Sequence, residues 1–158
     1  VSRVHILDPD FAKKFKAIID AYKIPPELIE LELTESIFLN TVDEAVWLME
    51  QFKSYGFSIS IDDFGSGYSS LNLLKELPAD VIKIDKGFFR KDKLLEKDKI
   101  IVSSVVNLAK NLHMLVLCEG VETENQAHFL RSIDCDIAQG YLYSKPIPIC
   151  DYEEKYSI

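Results

Sequence analysis

The 158-residue sequence contains no apolar run near the ~18 residues that cross a bilayer. Its opening, Val1-Ser2-Arg3-Val4-His5, lacks the basic and then apolar build of a secretory leader. Cysteine is scarce: Cys118, Cys135 and Cys150 are an odd number in no metal-ligand spacing, and free thiols in a reducing compartment are expected. Positive charge is in deficit, with 18 Lys and Arg against 26 Asp and Glu for a net charge of -8. That balance argues against DNA and anionic membranes as partners. A phosphate ligand would need an attractor other than net charge, and a metal ion is the natural one. Repeats, low-complexity tracts and linkers are missing, so residues 1–158 read as one unit without an internal boundary. The 47% apolar and 28% charged residues are the composition of a folded globular chain.

Against these absences stands a regular alternation of strand and helix signals. Asp8-Pro9-Asp10 opens a helix carrying Phe11, Phe15, Ile18 and Ile19 at helical spacing, and Ile24-Pro25-Pro26 stops it. A strand is predicted at about 29–33. Thr41-Val42-Asp43-Glu44 reads as a capping box before the stripe Val42, Ala45, Val46, Met49 and Phe52, with Gly56 as the stop. Residues 58–62 alternate as a strand. A short helix at 71–77, a strand at 81–85, a helix at 98–111 and a strand at 115–118 follow. Thr123-Glu124-Asn125-Gln126 is a second capping box opening a helix to about 133. A short strand at 137–138 and a polar tail complete the chain.

Repeated strand–helix units imply parallel strands, in either a doubly wound sheet or a (β/α)8 barrel. Ile59 and Ile61 share one face, as do Ile82 and Ile84, while Ser58, Ser60, Asp62 and Lys83 take the other. A doubly wound sheet wants both faces apolar, whereas a barrel keeps apolar residues toward its helices and admits polar ones inside. The α/β fold class is therefore a TIM-like barrel. Five strands are too few for a complete one of ~250 residues. An incomplete barrel lacking its first strands is expected, with exposed edges that invite an upstream segment or another chain, a homodimer included.

The strand ends carry the chemistry. Glu32 closes the first, Asp62 and Asp63 the second, Lys83 lies in the third, Glu119 follows the fourth and Gln139 ends the fifth. A barrel gathers such ends at one mouth. Carboxylates so gathered repel one another, and oxygen-binding divalent cations, Mg²⁺ or Mn²⁺, are the natural counter-charge. Lys83 would orient or deprotonate a metal-activated water, or stabilise charge on a phosphate. Taken singly, each residue has a plainer reading: Asp62 and Asp63 as loop caps, Glu32 as a solvated charge, Lys83 as an ion-pair partner, Gly65 and Gly67 as turn residues. Their coincidence at successive strand ends favours the metal site. His5, His113 and His128 stand apart from it.

Five segments resemble one family in order: Glu32-Leu33-Thr34-Glu35-Ser36, Asp62-Asp63-Phe64-Gly65-Ser66-Gly67-Tyr68-Ser69-Ser70, Val81-Ile82-Lys83-Ile84-Asp85, Glu119-Gly120-Val121-Glu122-Thr123, and Gln139-Gly140-Tyr141 through Lys145-Pro146. The family is the EAL domain, a bacterial phosphodiesterase specific for cyclic di-GMP. The resemblance implies two-metal hydrolysis to linear pGpG in a cytoplasmic signalling protein, with an upstream signalling or GGDEF-type domain as partner. It implies that Glu32 and Asp62 bind the first metal and that Asp62, Asp63 and Glu119 bind the second. Lys83 would contact the attacking water, and Gln139 would fix the network. Glu35 would anchor the loop of Asp63, Phe64, Gly65, Ser66 and Gly67, while Glu122 would support Glu119. Ser66 and Cys118 are departures of small consequence.

The E-A-L segment that names the family, with its Glu ligand and phosphate-holding Arg, is not in this sequence. Val1-Ser2 resembles the tail of an N-V-S motif whose Asn would be another ligand. The chain thus reads as the C-terminal two-thirds of an EAL domain, expected to be inactive by itself. The alternatives are a catalytically silent EAL domain serving as cyclic di-GMP sensor or protein-interaction module, and, from carboxylates alone, an enolase-type barrel.

Overall fold

The computed structural model describes residues 1–39, 41–65, 74–89 and 95–157. Ser66, Gly67 and the first residues of the helix expected at 71–77 lie outside them. In chain order the elements are α1 (Arg3–Ile6), α2 (Phe11–Ala21), β1 (Glu30–Thr34), α3 (Val42–Ser54), β2 (Ser58–Phe64), β3 (Val81–Ile84), α4 (Glu96–Asn111), β4 (Leu115–Cys118), α5 (Glu124–Ser132), β5 (Ile137–Ala138) and α6 (Ile149–Tyr156). Short 3-10 turns occupy Pro26–Leu28, Glu35–Leu39 and Lys86–Phe89.

The five strands form one parallel sheet in the order β1-β2-β3-β4-β5. A doubly wound sheet reverses its strand order at a switch point, and this one does not. Right-handed crossovers without a reversal put successive helices on the same side, which is how a barrel is built. Leu31 and Leu33, Ile59 and Ile61, Ile82 and Ile84, and Val116 and Cys118 are all buried. They belong to one core with Leu48, Met49 and Phe52 of α3, Val102 and Val106 of α4, and Leu130 of α5. Each such side chain, fully removed from water, contributes ~1.5–3 kcal/mol.

Aromatic rings fasten α2 to α3. Phe11 and Phe15 meet Phe52 edge-on with centroids 5.7 and 5.8 Å apart, and Phe57 at the entrance to β2 meets Phe52 at 5.6 Å. Edge-to-face geometry suits the ring quadrupoles and adds to the burial.

Three local expectations are corrected. Helix α2 is capped at Asp10, while Asp8 accepts the Asp10 N–H at 3.0 Å and pairs with Lys14, forming a turn ahead of the helix. The capping box at Thr41 does not form, because the Thr41 hydroxyl donates to the Ile37 carbonyl at 2.7 Å. The tail carries helix α6, entered from Pro148, with Asp151 in its first turn and Lys155 in its last, both complementary to the helix dipole. The second capping box forms as expected: the Gln126 N–H donates to Thr123 Oγ1 at 3.3 Å, and the Thr123 N–H to Gln126 Oε1 at 2.9 Å.

Candidate functional site

Four successive strands each contribute one charged group to the same place. Lys83 of β3, 8% exposed, lies at its centre. Its Nζ is 2.6 Å from Glu32 Oε1 of β1, 2.9 Å from Glu119 Oε1 just past β4, and 3.3 Å from Asp62 Oδ1 of β2. Burial works against the ammonium, but its hydrogen bonds to Glu32 and Glu119 and the attraction of Asp62 prevail, holding its pKa above the ordinary lysine value. In this arrangement Lys83 is a cation and a hydrogen-bond donor, not a base.

The Asp62-Asp63 pair is placed by a backbone irregularity. Ile61 pairs with Ile82 and Phe64 with Ile84, so β2 spends three steps where β3 spends two. This is a β-bulge, with Asp63 in the left-handed region at φ 56°. In a regular strand two adjacent side chains project to opposite faces; the extra residue breaks that rule between them. Burial, reinforced by Asp62, Asp85 and Glu119, pushes the Asp63 carboxyl above its ordinary value. Two buried oxygens, Ser60 Oγ and Asp62 Oδ1, have no hydrogen bond.

Beyond the bulge, the Gly65 N–H donates to Glu35 Oε2 at 2.8 Å, so the buried Glu35 at the exit of β1 meets the loop leaving β2. Gly65 has φ +89°, and a Cβ there would strike the ring of Phe88 at 2.7 Å. Phe64 is buried below. Glu122 is exposed, and its backbone N–H donates to Gln126 Oε1 at 2.8 Å. Gln139 is exposed too; its N–H donates to the Cys118 carbonyl at 2.9 Å and its carbonyl accepts the Val121 N–H at 3.0 Å. It borders a cavity of about 390 Å³ shared with Tyr141, Lys145 and Tyr152.

The structure thus brings Glu32, Asp62, Lys83 and Glu119 together, keeps Asp63 beside them, and leaves Gln139 and Glu122 on the solvent side. Sequence reasoning missed the bulge, although buried positions 59, 61 and 64 carried its signal: a regular strand would have put the third at 63.

Among the described residues, no three His, Cys, Asp or Glu side chains are already gathered into a cage for a metal ion. The carboxylates converge on Lys83 instead. Their chemistry nonetheless suits a hard divalent cation, being carboxylate oxygen throughout, with one buried oxygen, Asp62 Oδ1, that accepts no hydrogen bond.

The EAL domain family matches residues 1–146. The chain belongs to the EAL domain family. It is 42% identical over 126 residues to the cyclic di-GMP phosphodiesterase NbdA of Pseudomonas aeruginosa, covering 80% of this chain and 16% of that protein. The bifunctional diguanylate cyclase/cyclic di-GMP phosphodiesterase MucR of the same organism is 42% identical over 127 residues, 80% of this chain and 18% of MucR. The chain therefore spans less than a fifth of the length of either relative. Among solved structures, the manganese/cyclic di-GMP complex of BlrP1 from Klebsiella pneumoniae superposes with a TM-score of 0.83 at 31% identity, over 90% of this chain and 36% of that one. The five-stranded sheet is accordingly an arc of the EAL barrel, and helix α6 lies past the end of the family match. No helix among the described residues is long and apolar enough to cross a membrane.

Proposed function

We propose that this EAL segment, residues 1–158, is part of a cytoplasmic bacterial phosphodiesterase that hydrolyses cyclic di-GMP to linear pGpG. The observation that carries the reading is the convergence of Glu32, Asp62 and Glu119 on one buried lysine at the exits of four adjacent strands. The relatives named for this activity, and the family match over nearly the whole chain, support it.

Glu32 and Asp62 would hold one Mg²⁺ or Mn²⁺, and Asp62, Asp63 and Glu119 a second. Bound there, the ions would supply the positive charge that acidifies water and offsets charge on the phosphodiester. Lys83, kept protonated by its carboxylates, donates a hydrogen bond to the attacking water and fixes its direction. Orientation of this kind is worth more than a lysine's basicity when the amine is already charged. Glu35 holds Gly65 against the exit of β1. Gln139, exposed at the end of β5, would turn its amide toward this network, and Glu122, exposed as well, would support the Glu119 turn. A GGDEF-type or other signalling domain would control the intact protein.

The test assays the chain alone and joined to an upstream E-A-L segment, with cyclic di-GMP and Mn²⁺, following pGpG. Turnover in the joined protein, abolished by Lys83→Ala and by chelation, is the expected result. Binding of cyclic di-GMP without turnover would replace the enzyme by a sensor. No binding would leave a protein-interaction module.

A further inference from the structure

Two thiols that the proposed hydrolysis does not use lie against each other directly behind the site. Cys118, the last residue of β4, is fully buried, and Cys135, in the turn between α5 and β5, is half-buried. Their Sγ atoms are 3.6 Å apart, and neither is in a disulfide. Among the described residues the Cys135 thiol has no other side-chain hydrogen bond; its further hydrogen-bond acceptors are the Val116 and Ile137 carbonyls at 3.5 Å. Cys118 is also the junction of the site's frame: its carbonyl accepts the Gln139 N–H, and Glu119 is the next residue along the chain.

We infer that Cys118 and Cys135 form a reversible disulfide, with hydrogen peroxide as oxidant, and that this bond displaces Glu119 and Gln139. In the first step the Cys135 sulfur attacks the peroxide O–O bond, giving a sulfenic acid and, with the thiol proton, one water. In the second the Cys118 sulfur attacks the sulfenic sulfur, and its proton leaves with the hydroxyl as another water. Two thiols are oxidised and one peroxide is reduced to two waters. The order follows from access, because Cys135 reaches solvent and Cys118 does not. The sulfurs must close from 3.6 Å to about 2.05 Å, drawing the end of β4 toward the turn before β5.

The experiment treats the protein with hydrogen peroxide and measures intact mass and cross-linked peptides, with Cys150→Ser as background to remove the exposed thiol. The expected product is lighter by two hydrogens, joins the peptides of Cys118 and Cys135, reverts with dithiothreitol, and is absent from Cys135→Ser. Retention of both thiols, or oxidation of Cys135 to sulfinic acid with Cys118 still free, would overturn the pairing. This mass readout needs no substrate. The effect on Glu119 rests on the phosphodiesterase reading and is read as a several-fold, dithiothreitol-reversible fall in turnover of the protein joined to an upstream E-A-L segment. Full turnover by the oxidised joined protein would overturn that coupling while leaving the bond; absence of turnover in the reduced joined protein would overturn the phosphodiesterase reading while leaving the mass result.

Discussion

Asp80 and Asp136 perform the same task two strands apart. Asp80, ahead of β3, accepts the Ile59 N–H of β2 at 2.9 Å, and Asp136, ahead of β5, accepts the Val116 N–H of β4 at 2.9 Å. Each also pairs with a lysine near the end of the helix that leads into the strand it binds, Lys53 of α3 before β2 and Lys110 of α4 before β4. The sheet is thus locked at the end opposite its charged cluster by a repeated lysine–aspartate–amide link. Asp136→Ala is expected to cost about 1–3 kcal/mol, since it strips a partly buried amide of its acceptor. Asp134→Asn, which tolerates the left-handed backbone at φ 59° and removes only a surface pair with Lys110, is expected to stay within ~0.5 kcal/mol. Urea unfolding of both variants separates them.

The Phe52 ring is the shared partner of Phe11, Phe15 and Phe57. Phe52→Ala removes a fully buried ring and should cost about 3–5 kcal/mol. Phe52→Leu, which keeps much of the volume, should lose markedly less. Thermal melting followed by circular dichroism measures both.

Lys83→Met should abolish turnover in the joined protein, because the water loses its donor. It should also destabilise the metal-free chain by about 1–3 kcal/mol, since the partly buried carboxylates lose their cation. Added Mn²⁺ is expected to recover part of that loss. Metal-free melting unchanged by the substitution would contradict the picture of Lys83 as their counter-charge.

Asp63 has a folded-state pKa above its unfolded value, so the folded chain binds the proton more tightly. Its ionisation therefore subtracts stability as pH rises through the interval from the unfolded carboxylate value to the raised folded one, and the loss persists above it. Asp63→Asn removes that loss and tolerates the left-handed backbone at φ 56°. In metal-free buffer the variant should melt higher than the native chain at neutral pH, with the difference vanishing in acid. Its phosphodiesterase activity should be gone.

Much of the architecture was legible because periodicity reports burial directly. The alternation at 58–62 separated the helix-facing isoleucines from the inward polar set, and the capping box at Thr123 formed as its spacing required. The failures came where two local bonds compete for one group. Thr41 had the sequence of a cap, but the Ile37 carbonyl was within reach of its hydroxyl. Helix α6 was hidden by its polar residues, although Pro148 and the charges of Asp151 and Lys155 mark its ends. In the site, strand-end position was enough to nominate Glu32, Asp62, Lys83 and Glu119. It could not show that Glu32, Asp62 and Glu119 would close around Lys83, since an ion-pair hub depends on register between strands far apart in sequence.

The bulge in β2 also resets parity. Before it the odd-numbered residues Ile59 and Ile61 enter the core; after it the even-numbered Phe64 does, opposite Ile84. One strand can therefore carry two consecutive acids without giving up its hydrophobic anchor on either side. Deleting Asp63 would restore a uniform repeat by letting Phe64 slide back into step as the core residue, and only one of the two carboxylates would remain. The phase slip and the second acid thus occupy the same inserted residue, and a deletion there removes both at once.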